Sequence, residues 1–445
     1  MEEKTFLSKL GSRLFAHPGF ENLVALSTSA NGFRREDAVR RLGMLGDPRA
    51  IPCLIVRAND WVPQVRTAAF DALIRMLKSG NGDAFVTSLP QILHLQSCSR
   101  GDHTELLAAI REFLLREQNR SALLAGMENR DSRVARLVTR LVVDHQLMAP
   151  AELVTKGLAH SDVLVRSIIV DLLQRLTQDE FETLADRVLG DTYMPVRREA
   201  FQQLLRRMPG RGTVAARNLL FDRSASIREI AVQHLLAQGE SVDEIYASAL
   251  ARNGGHAATV RCVLWGWALM NNQARAVQVE QFLVSPVPAI RRAALSSIGR
   301  LLRTAAGPHL EKGLGDASPA VCNEAARLIS RIGVSPGIET LMAIATSSGL
   351  AHVAYACCRV ARDGNKWNWL RFILGVYGRS ACEISSEVFS REIDAWEWQF
   401  NRSYAQPDPH QLAEVVQLFA ASRDRLSTGR VQLLAFTLRT YGGAV

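Results

Sequence analysis

The stretch LAHSDVLVRSIIVDLLQRL, residues 158–176, contains one complete copy of the pattern that decides the fold. An apolar residue, Leu158, lies seven positions before the β-branched anchor Val165, and Arg166 follows the anchor. Further apolar residues recur at +3, +4, +7, +8 and +11 from the anchor, which is the spacing of one face of an α-helix. Asp162 lies between, where turn and N-cap residues are favoured. The stretch therefore predicts a helix end, a turn and a second helix.

Copies of this pattern follow one another along most of the chain at nearly constant steps, as from Val165 to Val196 and from Val196 to Ile227. A β-branched anchor followed by arginine begins the second helix in six copies, at Val65, Val165, Val196, Ile227, Val260 and Ile290. Three further anchors lack the arginine: Val134, Val321 and Val353. A rhythm of this length, kept over so many copies, is typical of helical hairpins stacked side by side.

Two copies near the start of the chain depart from the pattern. The interval from Val65 to Val134 is longer than two regular steps, which leaves room for one degenerate copy with His103 in the anchor's place. In the first copy, one regular step before Val65, Arg34 takes that place. With these copies included, the sequence predicts an all-α fold, an α-solenoid of about eleven helix pairs.

The segments RRLGMLGDPRAIP (40–52) and VRTAA (65–69) resemble a HEAT repeat of the phycobilin-lyase-like subtype. The resemblance weakens along the chain but continues to about residue 362. It implies a right-handed superhelix in which the second helix of each pair lines the concave side. It does not by itself imply an activity, because one fold serves many functions.

The sequence predicts three parts in this chain. Residues 1–17 form an entry or capping helix with apolar residues on one face, residues 18–362 form the repeat array, and residues 363–445 form a C-terminal helical module or cap. Four helices are expected in the last part, at 367–376, 383–400, 410–422 and 429–441. Two tryptophan pairs, Trp367 with Trp369 and Trp396 with Trp398, lie there, and we expect one member of each pair to be buried, because residues two apart on a helix face different directions.

Sequence motifs that carry chemistry are missing. There is no phosphate-binding loop, no dinucleotide-binding glycine motif, no nucleophile elbow and no H-E-x-x-H motif. The seven cysteines are odd in number, scattered and without a C-x-x-C pair, which argues against a disulfide framework and a zinc site. We therefore expect a protein that is not an enzyme, with no catalytic residues, no cofactor and no metal. Without a signal peptide or a membrane-length apolar run, we expect a cytoplasmic protein with no membrane contact.

Arginine accounts for most of the positive charge. The formal net charge is +9, and lysine supplies only a small minority of the basic residues. One set of arginines follows the anchors and predicts a structural ladder that bonds turn groups: Arg66, Arg166, Arg197, Arg228, Arg261 and Arg291. A second set lies on the second helices outside the apolar seam and is a candidate for binding on the concave side: Arg75, Arg136, Arg175, Arg198, Arg206, Arg292, Arg300 and Arg331. Such a stripe attracts phosphates or an acidic protein surface, unless neighbouring carboxylates neutralise it.

Three functions fit these observations to different degrees. A long solenoid exposes an extended surface without a pocket, which favours a scaffold for a protein partner, and the arginines favour an acidic one. Binding of nucleic acid through the same basic groove is the alternative. A lyase of the phycobilin type is the third, prompted by the repeat subtype alone. The sequence leaves the partner's identity and the oligomeric state open.

Overall fold

The computed structural model describes residues 19–253, 255–378 and 384–445, and the regular structure within these ranges is helical throughout. The predicted entry helix at 1–17 lies outside the described residues. Contacts divide the chain into two compact units, one up to Gly212 and one from Thr213 onward. This division does not test the domain boundaries at 17 and 362, which stay predictions.

Six helix pairs are found among the described residues of the first unit, and in the third pair two short helices, α5 and α6, take the place of one first helix. Its helices are α1 (Phe20–Leu26), α2 (Gly32–Leu45), α3 (Ile51–Ala58), α4 (Pro63–Arg75), α5 (Gly82–Thr87), α6 (Leu89–His94), α7 (Thr104–Leu115), α8 (Arg120–Gly126), α9 (Ser132–Asp144), α10 (Pro150–Ala159), α11 (Val163–Ile169), α12 (Gln178–Leu189) and α13 (Met194–Arg207). A 3-10 segment, Val170–Arg175, continues α11.

Five further pairs are found among the described residues of the second unit. Their helices are α14 (Pro209–Leu219), which contains the division point, α15 (Ala225–Ala237), α16 (Val242–Asn253), α17 (Ala257–Leu269), α18 (Ala276–Glu280), α19 (Pro288–Leu302), α20 (Gly307–Leu314), α21 (Pro319–Ile332), α22 (Ile338–Ser348) and α23 (Ala351–Asp363). The eleven pairs agree with the number that the repeat rhythm predicts.

The turn residues of the repeat begin the second helices as the sequence predicts. The side chain of Asn31 accepts hydrogen bonds from the first free amides of α2, and Asp131 and Asp162 do the same for α9 and α11. These side chains supply partners for amides that have none inside the helix. In other copies proline occupies the first turn, as at Pro63 and Pro319, where its missing N–H costs nothing.

The anchors form the buried seam of each unit. Every β-branched anchor from Val65 to Val353 is at most 6 % exposed. In the first unit α2 packs on α4 and α9 on α11, and in the second unit α17, α19, α21 and α23 pack in succession. Gly43 permits a close approach of α2 and α4, because a Cβ placed on it would lie 2.5 Å from the Cβ of Ala72. Each unit is thus an all-α solenoid of stacked helix pairs; the phycobilin-lyase-like HEAT subtype and the right-handed superhelix stay predictions.

Four helices follow the last pair, α24 (Lys366–Phe372), α25 (Ser386–Gln399), α26 (Pro409–Ser422) and α27 (Thr428–Thr440). A buried π-helical turn, Ile373–Tyr377, continues α24. Trp396 is buried and Trp398 is 69 % exposed, as expected for residues two apart on a helix. The same expectation is wrong for Trp367 and Trp369, which are both buried because α23, α25 and α26 pack around α24 from several sides.

Candidate binding surface on the second helices

Most arginines that follow an anchor turn back to the loop before their own helix. Nη1 of Arg66 donates to the carbonyl oxygens of Asp60, at 2.8 Å, and Trp61, at 3.3 Å. The corresponding carbonyls, six and five positions earlier, accept from the other ladder arginines with this contact, Arg166, Arg197, Arg228 and Arg291. The repeated bond holds each turn against the helix that it introduces.

Some ladder arginines also reach the turn of the next repeat. Nε and Nη2 of Arg291 donate to the two carboxylate oxygens of Asp316, and Nε of Arg166 donates to Asp191. Burial by itself would raise the pKa of Asp316. Hydrogen bonds from Arg291 and from the amide of Ser318 outweigh it, so the pKa lies below its usual value.

Two residues that sequence reasoning missed share these contacts. Arg35 donates to the carbonyls of Ser29 and Ala30 and pairs with Asp60, its Nη2 lying 2.8 Å from Oδ1. The signal was present, since Arg35 lies one regular repeat step before Arg66. Cys322 takes the arginine's position in its copy, and its Sγ donates to the carbonyl of Asp316 at 2.9 Å.

Arg261 differs from the other ladder positions. It is exposed, and it makes no hydrogen bond or ion pair within the described part of the chain. The loop before its helix contains the undescribed residue 254.

The ladder also contacts an aromatic side chain of the next repeat. The guanidinium group of Arg228 lies 4.4 Å from the ring centre of Trp265, so one aromatic side chain of α17 packs on the ladder.

The structure places Arg136, a candidate of the second set, in an ion pair. Its Nε and Nη2 lie 3.0 and 2.6 Å from the two carboxylate oxygens of Asp162 in the next turn. Ala135 occupies the ladder position of this copy, so Arg136 makes the contact between repeats instead. The hydrogen bonds from Arg136 hold the pKa of Asp162 well below its usual value.

Six candidates remain exposed and make no hydrogen bond or ion pair with the described residues. We call them the open arginines: Arg75, Arg175, Arg198, Arg292, Arg300 and Arg331. Arg206 is also exposed, but its Nη2 lies 3.3 Å from Glu199. All are on second helices or the segment that continues one, and their place on a concave side stays a prediction.

Within each unit, arginines of the second set lie at the same end of neighbouring repeats. In the first unit Arg207 donates to the carbonyls of Gln174 and Leu176, which places Arg175 and Arg206 at the same end of two neighbouring repeats. In the second unit Gly299 lies against Leu328 and Ile332, as a Cβ placed on it would lie 3.2 Å from Ile332. Arg300 and Arg331 therefore lie at one end of adjacent helices.

An apolar patch accompanies the open arginine nearest the start of the chain. Met44 and Leu45, at the end of α2, are 78 % and 57 % exposed, and Ile74 at the end of α4 is 36 % exposed. Arg75 lies over this junction, because its Nη2 would be 3.2 Å from a Cβ placed on Gly43. We call Met44, Leu45, Ile74 and Arg75 the α2–α4 patch.

Groups suited to metal binding do not assemble in the described ranges. No cluster of three or more histidine, cysteine or carboxylate side chains is placed to hold a metal ion there. Burial raises the pKa of the Cys322 thiol to about 11 and that of the Cys358 thiol to about 12, so both are protonated at neutral pH. Within the same ranges, no helix has the length and apolar character to cross a membrane.

Comparison with known proteins gives no family. No family model matches the chain, and no curated protein matches it. Importin beta in an ammonium sulfate condition aligns with 99 % of this chain and 62 % of its own length, at 11 % identity and a TM-score of 0.30. Kap121p bound to Pho4p aligns with 94 % of this chain and 43 % of its own, at 13 % identity and a TM-score of 0.25. The chain thus spans less than two thirds of either structure, and the TM-scores show only a loose likeness.

Proposed function

We propose that this chain is a non-catalytic scaffold that binds a protein partner through the exposed face of its second helices. The α2–α4 patch is the observation that carries the proposal. It combines three exposed apolar side chains with Arg75, whose guanidinium makes no hydrogen bond or ion pair within the described residues. Methionine and arginine are enriched at protein interfaces, and apolar contacts supply most of the binding energy there.

The charge of the partner follows from the open arginines. Each carries a full positive charge, and a carboxylate that reaches it gains a charge-assisted, bidentate hydrogen bond. We therefore propose a partner segment that combines apolar side chains with acidic ones. Acidic residues on such a segment also accelerate association, through attraction to the net charge of +9.

The distribution of charge favours protein over nucleic acid. The arginine column is interrupted on α9, where the exposed Asp144 takes the equivalent position, and Asp171 is exposed four positions before Arg175. A phosphate backbone gains most from an uninterrupted basic track, since each neutralised phosphate adds to affinity. Alternating charges beside apolar side chains suit a folded or extended protein segment better.

The proposal is tested by isolating the partner from an extract and then measuring its binding to this chain. The full chain is used as bait in a nuclease-treated extract, and the captured protein is purified and titrated against the chain by calorimetry. We expect stoichiometric binding that Met44→Asp combined with Arg75→Glu weakens at least about tenfold, since both positions are exposed and belong to one interface centre. Circular dichroism checks that the variant keeps its helices.

Lys156→Glu is the matched control, because it reverses an exposed charge on the first helix α10, away from the proposed surface. It should leave the affinity within about twofold, as rim and remote charges contribute little. Equal weakening by both variants would show that only the total charge matters. Duplex DNA binding that falls steeply with salt, with no protein retained after nuclease treatment, would replace the proposal with nucleic-acid binding.

A further inference from the structure

A cleft of about 630 Å³ opens in the first unit between the second helices α7 and α9. Leu107 and Arg111 line it from α7, and Arg140 and Leu141 line it from α9. Leu89 and Ile92 of the first helix α6 contribute further apolar wall. Volumes of this size, with mostly apolar walls and a few polar groups, are typical of sites for small molecules.

The degenerate repeat explains why the cleft exists. The interval from Val65 to Val134 is longer than two regular steps, such as the two that lead from Val165 to Ile227, so this repeat contains additional chain. By the spacing of the repeat, most of the addition lies before Leu95, where α5 and α6 replace one first helix. Gln96, Cys98 and Gly101 of the loop that follows line the cleft.

The loop contacts the preceding repeat. Arg100 donates to the carbonyl of Asn59, and a Cβ placed on Gly101 would lie 3.3 Å from Nε of Arg66. The first helix α6 packs directly on α9, which in regular copies is the place of a second helix. The apolar faces of α7 and α9 are therefore left partly open: Leu107, Leu137 and Leu141 are only half-buried.

The polar groups of the cleft indicate which charge it accepts. Arg111 of α7 and Arg140 of α9 both line the cleft, are exposed, and make no ion pair with any described residue. Two carboxylates also line the cleft. Asp102 accepts a hydrogen bond from the amide of Thr104 at the start of α7, and Asp144, the last residue of α9, lies one turn after Arg140 and forms no ion pair with a described residue.

His103 provides a second observation that points to a ligand in the cleft. His103 is among the residues that line the cleft, it is more than nine-tenths buried, and its Nε2 has no hydrogen-bond partner among the described residues. Buried polar atoms without a partner are uncommon in native proteins, and a polar atom of a bound molecule resolves such a case. Burial also lowers the pKa of His103, so the ring is neutral at pH 7 and does not oppose an apolar occupant.

We propose that the α7–α9 cleft binds a single-chain amphiphile with a carboxylate head, its hydrocarbon chain against the leucines and its head between Arg111 and Arg140. The chain removes the half-buried apolar side chains from water, which favours binding in proportion to the area covered. The head gains bidentate hydrogen bonds from two guanidinium groups that otherwise lack partners. The cleft shares no residue with the α2–α4 patch, so the two proposals can be tested separately.

Calorimetry with decanoate as the probe and the full chain tests this proposal. We expect saturable binding of one decanoate per chain, with a negative heat-capacity change from burial of apolar surface. Decyltrimethylammonium, with the same chain and the opposite charge, should not bind at equal concentration. Equal binding of the two amphiphiles would overturn the assignment of an anionic head.

Two variants locate the site. Ala108 is exposed in the wall of the cleft, so Ala108→Trp fills the opening and should abolish saturable binding. The control, Ala125→Trp, places the same side chain on an exposed position of α8 and should bind decanoate like the original protein. Arg111→Gln should weaken decanoate about fivefold, the effect of one exposed ion pair, whereas Arg175→Gln should have no effect. Absence of saturable binding, or full binding by Ala108→Trp, would overturn the proposal.

Discussion

Arg291 and Asp316 join two consecutive repeats through a forked ion pair, in which Nε and Nη2 of the arginine each lie 2.7 Å from one carboxylate oxygen. The two side chains are only 16 % and 13 % exposed. The same carboxylate accepts from the amide of Ser318, and the backbone carbonyl of Asp316 accepts from Cys322. One aspartate therefore fixes its own turn and connects it to the repeat before.

Loss of the carboxylate charge should destabilise the second unit. Asp316→Asn leaves the Arg291 guanidinium partly buried without its counter-charge, and we expect the free energy of unfolding to fall by about 3 kcal/mol. Asp394→Asn is the control, since Asp394 forms an equally forked pair with Arg430 but is 52 % exposed. Its loss should stay below about 1 kcal/mol in urea unfolding. Equal losses would show that burial of the pair between repeats has no special effect.

The pH dependence of stability should report on the pair between Arg136 and Asp162. Because the pKa of Asp162 is lower in the folded than in the unfolded protein, its contribution is complete above the unfolded pKa of about 4 and disappears as pH falls through the folded value. The difference in unfolding free energy between the original protein and Asp162→Asn should therefore be largest at pH 7 and shrink below pH 4. Urea unfolding at several pH values measures it, since urea does not screen the pair. A difference that grows on acidification would contradict the assignment.

Close packing in α17 depends on a residue without a side chain. A Cβ placed on Gly266 would lie 2.2 Å from Cε2 of Tyr246, which is fully buried. Gly266→Ala should force this ring to move and lower stability by about 1–3 kcal/mol. Gly210→Ala is the control, since no atom lies within 4 Å of its Cβ position at the start of α14. It should raise stability by about 0.4–1 kcal/mol. An equal decrease of the thermal unfolding midpoint in the two variants would contradict this prediction.

The repeat rhythm carried enough information to predict the helix pairs, because burial of one seam repeats at fixed spacing. The anchors, the turn aspartates and the C-terminal helix ranges were readable for this reason. Arg35 belonged to the same ladder and was missed only because the first copy has Arg34 in place of a β-branched anchor. Local pattern therefore determines most of this architecture.

Other features depend on neighbours that are distant in sequence. The pairing of Arg136 with Asp162 could not be predicted without knowing that Asp162, in the next turn, lies close to Arg136. Ala135, at the ladder position, has no side-chain group that could make this contact. The burial of both Trp367 and Trp369 follows from packing of several helices around α24. The α7–α9 cleft was visible in sequence only as an unusually long interval between two anchors, and that interval does not say which helices separate.

The C-terminal helices are tied to the last repeat by Glu392 of α25. Nη2 of Arg362, on α23, lies 2.5 Å from this carboxylate, and the guanidinium lies 4.8 Å from the ring centre of Trp369. Glu392→Gln should lower the unfolding free energy by about 2 kcal/mol, because Arg362 then lacks a charged partner on one side and retains only the ring on the other. Tryptophan fluorescence and circular dichroism should shift together, as expected when a cap and its array unfold in one cooperative step.

Glu397→Gln, an exposed change on the same helix, should leave both signals unchanged. The pair also tests the predicted boundary at residue 362. If Glu392→Gln produced an early fluorescence transition while the helical signal of the array kept its midpoint, the helices after Asp363 would form an independent module. Coincident transitions would instead make them the cap that covers the apolar face of the last helix pair, which an open solenoid end otherwise exposes to water.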